Sequence, residues 1–326
     1  MAGSTETRSA SFNIRATGAG GEPVDLVRTF LSHGVASLPP MRYLERERVF
    51  EVTLRTGGGD VRTVRVSPAA SGSARVTVAG SPVDQAAAGR ITEALAHILR
   101  LDEDLSAFYD MVKDDPELAW AAAGAGRMVR SATVFEEVVK TICTTNCAWS
   151  ATERMVHAIV GHLGDPAPGA PAGGAWGRAF PTAEAMASAG EAFYEEKARA
   201  GYRGRYLAEL ARRVAQGELD LEILAQASPE DLPDEEVEAR LLALPGVGPY
   251  AAAHIMMMLG RYRPLILDSW TRPTFIRLAG MKRAKDSTIV RRFRRYGEFA
   301  GLAFWLYLTR GWVSDGSPDD RFASPP

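Results

Sequence analysis

A glycine-rich corner and the carboxylate that follows it are the residues of this chain best placed to do chemistry. The corner is Leu244-Pro-Gly-Val-Gly-Pro-Tyr-Ala-Ala-Ala253, and twenty residues after Gly248 an apolar run, Leu265-Ile-Leu267, leads directly to Asp268. Glycines allow a tight hairpin with positive φ angles, and Pro249 suits the first turn of a new helix. Backbone N–H groups at a helix start have no internal partner, so they can hold a phosphate without reading a base.

Helices are predicted on both sides of this corner. Residues 233–243 carry Val237 and Leu241 at helical spacing, with Asp234 as the expected N-cap. The second helix is expected to run from Pro249 to about Leu259. The segment therefore predicts a helix, a glycine hairpin with positive φ at Gly246 and Gly248, and a second helix.

Two other interpretations fit the glycines alone. The string Gly246-x-Gly248-x-x-Ala251 matches a loose dinucleotide-binding fingerprint, but that motif needs a preceding strand, and a charged segment with helical periodicity precedes it here. An ordinary corner between two helices would also have this pattern. The correctly spaced Asp268 disfavours both.

Together, LPGVGPYAA and the later Leu267-Asp268 pair resemble the helix-hairpin-helix DNA glycosylase superfamily. Its members carry LPG(V/I)G, then a hydrophobic strand-like segment, then an invariant catalytic aspartate. The resemblance implies that Asp268 is catalytic. It also implies that a DNA backbone phosphate is held at the hairpin, by Leu244, Gly246, Val247 and Gly248. No metal or organic cofactor is implied, although hairpin carbonyls in the family can bind a monovalent cation.

The part of the chain before the corner predicts an α+β fold. Alternation at Phe12 and Ile14, at Phe50, Val52 and Leu54, and at residues 75–78 indicates strands, with helices near residues 25–33 and 83–99. We expect a disordered tail over residues 1–10, an antiparallel-sheet α+β domain over 11–104, and a mostly helical domain over 105–326 whose two lobes flank a cleft. This order resembles the 3-methyladenine and 8-oxoguanine branches of the superfamily.

Three residues correspond to those that hold a duplex open in the 8-oxoguanine branch. Asn146 ends a helical segment, where an asparagine of the branch fills the gap left by the flipped base; an alternative is that it only caps the helix. The segment GYRGRYL resembles the GYRxxYL of the family, whose tyrosine and arginine correspond to Tyr202 and Arg203. They would wedge beside the vacated site and contact the orphaned base. Cys147 and Ala151 depart from the branch, which puts its opposite-base specificity in doubt.

The resemblance also places Tyr250, Trp270, Phe304 and Leu308 at the base pocket, with Trp305 as a further candidate. An aromatic, apolar pocket suits a cationic alkylated base, although Trp305 and Leu308 could equally be core residues of the last helix. Bifunctional members have a lysine at position 250 that attacks the sugar, so Tyr250 removes the nucleophile of the lyase route. Monofunctional 3-methyladenine enzymes have an aromatic residue at this place.

Composition sets broad limits. The 326 residues are 46% hydrophobic and 24% charged with a formal net charge of −2, so no global basic field points to nucleic acid. Residues 261–300 are locally basic, and Arg272 within them is a DNA-binding candidate. Two cysteines cannot hold a four-thiolate iron–sulfur cluster, the five histidines show no metal-binding spacing, and no apolar run is long enough for a signal peptide or a membrane span.

These observations predict a monofunctional DNA glycosylase that hydrolyses the N-glycosidic bond of a flipped, alkylated purine. We expect a cytoplasmic monomer that binds damaged duplex DNA and needs no cofactor. One alternative within the class is an 8-oxoguanine or other oxidised-purine glycosylase. An alternative from another class is a non-catalytic protein that uses the hairpin only to grip DNA.

Overall fold

The computed structural model describes residues 9–70, 72–80 and 82–313, and it has the predicted α+β fold. An antiparallel five-stranded sheet in the order β1-β5-β4-β3-β2 is followed by helices. The strands are β1 (Ser9–Arg15), β2 (Met41–Leu44), β3 (Val49–Gly57), β4 (Asp60–Pro68) and β5 (Ser73–Ala79). One prediction needs correction here, and one strand was missed. Ser9 and Ala10 pair within β1 rather than belonging to a tail, whose residues 1–8 lie outside the described residues, and β2 was not predicted.

The sheet forms because its alternating residues share one buried face. Phe50 pairs with Val66 and Val52 with Val64, and all four side chains are fully buried. The β3–β4 turn passes through three glycines with positive φ, residues 57–59, which is why it can be so tight.

The helices follow the chain in this order: α1 (Leu26–Phe30), α2 (Gln85–Ile98), α3 (Ser106–Val112), α4 (Val134–Thr144), α5 (Trp149–Leu163), α6 (Ala183–Ser188), α7 (Gly190–Ala192), α8 (Arg203–Ala215), α9 (Ile223–Gln226), α10 (Asp234–Leu242), α11 (Pro249–Met258), α12 (Thr271–Leu278), α13 (Asp286–Phe293) and α14 (Ala300–Thr309). Side-chain oxygens cap several of them. Thr133 accepts from the N–H of Glu136 at the start of α4, and Thr182 accepts from the N–H of Ala185 at the start of α6.

Two helical cores meet along α11. Ala251, Ala252 and Ile255 pack with α4, α5, α8 and α10, while Met257 and Met258 pack with α3, α12, α13 and α14. Because α11 is buried on both sides, its eight residues from Ala251 to Met258 are all buried. The helix that follows the glycine corner therefore lies between the two lobes. A third core joins the sheet to α2.

The corner itself is the predicted helix–hairpin–helix, with two corrections in detail. Asp234 is the first residue of α10 rather than its cap, and its carboxylate accepts from Arg261 at 3.0 Å. Gly246 has φ +80°, but Gly248 has φ −106° and is extended. Only Gly246 therefore needs to be glycine on conformational grounds.

No described helix is both long and apolar enough to pass through a membrane. Within the described ranges no three His, Cys, Asp or Glu side chains come together as a metal site would require.

Candidate active site

A cleft of about 1020 Å³ lies between the two helical lobes and reaches the sheet domain. The glycine corner, the start of α11, the turn before α12 and the loop after α4 contribute residues to it. Residues 33–35, from the segment after α1, close one end. The structure therefore brings together most of the sequence-predicted site residues: Asn146, Tyr202, Gly246, Val247, Gly248, Tyr250, Asp268, Trp270 and Arg272.

Asp268 lies in the wall of this cleft with one carboxylate oxygen engaged and one open. Oδ1 accepts from the N–H groups of Trp270 (2.8 Å) and Thr271 (2.6 Å), and the Thr271 hydroxyl accepts from the N–H of Asp268 at 2.8 Å. These bonds fix the carboxylate at the start of α12. Within the described part of the chain, Oδ2 accepts no hydrogen bond and Asp268 forms no ion pair with Lys or Arg. The carboxylate is thus oriented but not neutralised.

Tyr250 is the first-turn residue of α11 and lies where both helical cores reach the cleft. Its hydroxyl lies 3.3 Å from that of Thr144. Burial raises the pKa of Tyr250 to about 12, so the phenol stays protonated at neutral pH. No lysine is among the described residues that line the cleft.

Three tryptophans form an aromatic wall beside Asp268. The ring of Trp270 is 5.6 Å from those of Trp305 and Trp312, and the last two rings are 6.0 Å apart. The Trp305 N–H donates to the carbonyl of Ser32 at 2.8 Å, which ties α14 to the segment after α1. Such a wall offers planar stacking surface and little polarity.

Two predicted pocket residues do not reach the cleft. Phe304 is fully buried and packs against Phe275 and Phe293, with ring centroids 6.3 and 5.1 Å away, and Leu308 is buried in the same core. Adjacent residues of a helix project in different directions, so Phe304 and Trp305 cannot both face the cleft. Trp305 lines the cleft, and Phe304 points into the core. Phe304 and Leu308 are core residues.

The hairpin lines the opposite wall through Gly246, Val247 and Gly248. A Cβ at position 246 would come 2.8 Å from the ring of Tyr206, so the hairpin packs tightly on α8. Leu244 differs from the prediction: it is 6% exposed, lies in the first helical core and does not line the cleft. Its apolar side chain holds the hairpin in place instead.

Asn146 and Tyr202 meet at the rim of the cleft. The Asn146 amide donates to the Tyr202 hydroxyl at 3.3 Å, and Tyr202 is 49% exposed. Asn146 has φ +47°, a backbone conformation that asparagine tolerates better than most residues. The C-cap of α4 is Thr145, so Asn146 follows the cap rather than forming it, and its side chain bonds Tyr202 at the rim.

Arg203 is not placed to contact DNA, which corrects the prediction. Its side chain is buried, and its guanidinium donates to the carbonyls of Thr145 and Asn146 and stacks over the Tyr202 ring at 4.6 Å. The last carbonyls of a helix lack intrahelical partners, and a planar guanidinium can satisfy two of them at once. Arg203 therefore fixes the loop after α4 by hydrogen bonds and packs against the ring of Tyr202.

Five of the eleven basic side chains in residues 261–300 form ion pairs in the described structure. Arg272 lines the cleft but makes a two-pronged ion pair with Asp286, at 2.8 and 2.9 Å. Arg292 and Arg295 pair with carboxylates of the segment after α3, Glu117 and Asp115. Ion pairs with nearby carboxylates therefore neutralise part of the positive charge that the sequence shows in this stretch.

Sequence reasoning missed two histidines and one glutamate at the floor of the cleft. His33 and His254 line it, and Glu137 of α4 lies behind His254. His33 and His254 are 221 positions apart in the sequence and the three residues share no spacing pattern, so only the fold brings them together. The one available signal was a glutamate and a histidine on helix faces that are otherwise apolar.

Comparisons with known proteins agree with this geometry. No protein-family model matches the chain. A relative from Bacillus subtilis (strain 168), named "Putative DNA-3-methyladenine glycosylase YfjP", is 24% identical over 232 residues, which cover 69% of this chain and 74% of the relative. The structure of a 3-methyladenine DNA glycosylase from Archaeoglobus fulgidus superposes with a TM-score of 0.70 at 21% identity, covering 94% of this chain and all of the other.

A second solved structure is similar to the same degree. It is the Clostridium acetobutylicum 8-oxoguanine glycosylase/lyase in complex with double-stranded DNA containing cytosine opposite 8-oxoguanine, with a TM-score of 0.68, 20% identity, and coverage of 94% of this chain and 97% of that one. The chain has the fold of the helix-hairpin-helix DNA glycosylases. The resemblance predicted from the sequence is thereby confirmed, and the α+β fold class with it.

Proposed function

We propose that the protein is a monofunctional DNA glycosylase that hydrolyses the N-glycosidic bond of a flipped, alkylated purine in damaged duplex DNA. The observation that carries the proposal is Asp268: its carboxylate is fixed by two backbone N–H groups, keeps one oxygen open, and lies in the cleft beside the glycine corner. The similarity in fold to DNA glycosylases of both the 3-methyladenine and the 8-oxoguanine type supports the class.

DNA binding would use groups that contact the backbone and do not recognise particular bases. The N–H groups of Gly246, Gly248 and the start of α11 hold a backbone phosphate, because a helix start favours an anion, while the N–H of Val247 donates to the carbonyl of Leu244 and closes the hairpin. Tyr202 and Asn146, paired at the rim, take the space of the extruded nucleotide and offset an unstacking cost of a few kcal/mol. A monovalent cation bound at the hairpin carbonyls would strengthen the binding of the DNA phosphate. The protein would act as a monomer.

The reaction needs little from the protein beyond electrostatics. A purine alkylated at ring nitrogen N3 or N7 already carries a positive charge, so it leaves as a neutral base with the electron pair of the N-glycosidic bond, and positive charge develops on the sugar. The open oxygen of Asp268 stabilises that charge and orients the water that attacks the sugar carbon, and the proton of that water passes to solvent. The three tryptophans and Tyr250 stack on the base. With tyrosine rather than lysine at position 250, the product is a free base and an intact strand with an abasic site.

Release of oxidised purines such as 8-oxoguanine is the second candidate. It is favoured by the Asn146–Tyr202 pair, since these residue types occupy the corresponding places in the 8-oxoguanine branch, and by the similarity to the Clostridium acetobutylicum structure. Against it stands the absence of a lysine among the described residues lining the cleft, because that similar protein is a lyase as well as a glycosylase.

A panel of duplexes, each with one lesion, separates these functions. Duplexes carrying 7-methylguanine, 3-methyladenine, hypoxanthine or 8-oxoguanine are incubated with the protein, and free base and strand breaks are measured with and without alkali. We expect release of the alkylated bases and breaks only after alkali. Release of 8-oxoguanine alone would favour the second candidate. Tight duplex binding without release of any base would favour a non-catalytic DNA-binding protein.

A further inference from the structure

The floor of the cleft carries a buried polar cluster for which the proposed chemistry has no role. His33 and His254 line the floor, are 2% and 5% exposed, and meet edge to face with ring centroids 5.7 Å apart. Glu137 lies behind them on α4 and is 3% exposed. Buried ionisable groups beside a cleft are costly unless they are partnered, so their presence at this place calls for a function.

His33 is held as a neutral ring. Its Nε2 lies 2.6 Å from the carbonyl of Val129, and because a carbonyl only accepts, Nε2 carries the proton. Burial lowers the pKa of His33 to about 4. This ring therefore contributes a fixed, uncharged wall from the sheet domain, against which His254 packs.

His254 stands between Glu137 and the cleft. Its Nε2 is buried and faces Glu137 Oε1 at 3.8 Å, and neither atom has a closer partner in the described structure. That distance is too long for a hydrogen bond, but bonds of this kind often tighten only when substrate is bound. Nδ1 is not among the buried unpaired atoms, so it keeps surface toward the cleft. With Nε2–H directed at the carboxylate, Nδ1 presents a lone pair to whatever enters.

The charges around this pair leave the floor negative. Glu136 and Lys140, also buried on α4, pair with each other at 2.5 Å and cancel. The Oε2 atom of Glu137 accepts from the N–H of Ser131 at 3.0 Å, and no described Lys or Arg forms an ion pair with Glu137. The first turn of α4 favours a carboxylate at this place. In a water-poor site such a charge acts over several ångströms with little screening.

We propose that Glu137, acting through His254, makes the floor of the cleft selective for a base that carries positive charge. The inference rests on the proposed glycosylase function and names its substrate class: cationic, ring-alkylated purines in preference to neutral lesions of similar shape. His254 is the residue that faces the base, and Glu137 is a positioning residue that orients its ring and supplies the field. The sheet domain, through His33, completes the floor.

The test compares a cationic with a neutral base in otherwise identical duplexes. Single-turnover release of 7-methylguanine and of hypoxanthine is measured for the wild type, Glu137→Gln, His254→Phe and His254→Gln. His162→Gln is the matched control, because it removes an imidazole that is exposed and remote from the cleft. Dissociation constants for both duplexes are measured in the Asp268→Asn background, alone and combined with each of these substitutions, so that discrimination between the two bases is read without catalysis.

We expect Glu137→Gln to raise the dissociation constant of the 7-methylguanine duplex about 10-fold, an effect of roughly 1.4 kcal/mol, and that of the hypoxanthine duplex by less than about 3-fold, because the base carries its positive charge while bound and loses it on leaving. His254→Phe should behave alike, and His254→Gln, which keeps an acceptor, should recover most of the affinity. An equal rise for both duplexes, or no change for either, would overturn the inference, as would equal losses of affinity in the two His254 variants. If Glu137→Gln fails to fold, the comparison of His254→Phe with His254→Gln decides whether the inference holds. A wild type that releases no base from any duplex would overturn the proposed function, whereas an active wild type with unchanged selectivity in the variants overturns only the inference.

Discussion

Replacing Asp268 with asparagine separates its two roles, because the structure assigns one to each oxygen. Oδ1 accepts two backbone N–H groups, Oδ2 accepts no hydrogen bond within the described residues, and the side chain lines the cleft. Asparagine keeps an oxygen that can accept those bonds, so the helix start survives and the free energy of unfolding should change by less than about 1 kcal/mol. The lost charge, about 4 Å from the cationic sugar at an effective dielectric constant of about 20, corresponds to roughly 4 kcal/mol of transition-state stabilisation. Base release should then slow by about 10³-fold.

The assay is single-turnover release of 7-methylguanine, run beside urea unfolding and a binding isotherm on the same duplex. Asp268→Ala is the matched comparison: it loses the carboxylate and the cap together, so it should match the asparagine variant in rate while losing about 1 kcal/mol of stability. Asp268→Asn should bind the duplex as the wild type does. If Asp268→Asn kept more than about a tenth of the wild-type rate, the carboxylate would not be the group that stabilises the sugar.

Three further outcomes follow from the site. Gly246→Ala should lose about 1–2 kcal/mol of unfolding free energy, because φ is +80° and the new Cβ would meet Tyr206 at 2.8 Å. The control Gly248→Ala, with nothing within 4 Å of its Cβ, should unfold in urea as the wild type does. Equal losses in the two variants would mean that the hairpin is not constrained at Gly246. Arg203→Met should lower the free energy of unfolding by about 1–3 kcal/mol. Because the guanidinium binds protein carbonyls, the relative rates of base release from duplexes with each of the four bases opposite the lesion should not change. A changed ratio of these rates would show that Arg203 contacts the DNA. Borohydride added during turnover should trap no covalent protein–DNA adduct, because Tyr250 offers no amine, and an adduct would show a lyase nucleophile elsewhere.

The sequence was sufficient for what depends on short-range pattern. Gly246, Pro249 and Asp268 lie within one continuous segment whose spacing fixes a hairpin, a helix start and a carboxylate, and the structure has all three in one cleft. The strands were predictable because alternation of residues such as Phe50 and Val52 is a local signal. The short β2 was missed because Met41–Leu44 is too brief to alternate clearly.

The errors arose where a residue serves the backbone or the core of the protein rather than a ligand. Arg203 has the residue type of a base-contacting arginine, but two carbonyls at the end of α4 need donors and it supplies them. Phe304 and Trp305 are adjacent aromatics on a helix that is apolar on all sides, so periodicity could not tell which one faces the cleft. The floor formed by His33, His254 and Glu137 depends entirely on tertiary contacts.

The sheet domain fixes the geometry of the cleft rather than only flanking it. Arg100, at the end of α2, is 1% exposed and donates to the carbonyls of Met128 and Met257, so it satisfies the last turn of α11. The other end of α11 is the glycine corner that would hold the phosphate. Trp305, in turn, donates to Ser32, beside the His33 that closes the floor. Because the helix bearing Tyr250 and the wall that would stack on the base are both anchored to the sheet domain, a change in that domain should alter where a base sits relative to Asp268 even though no strand reaches the sugar.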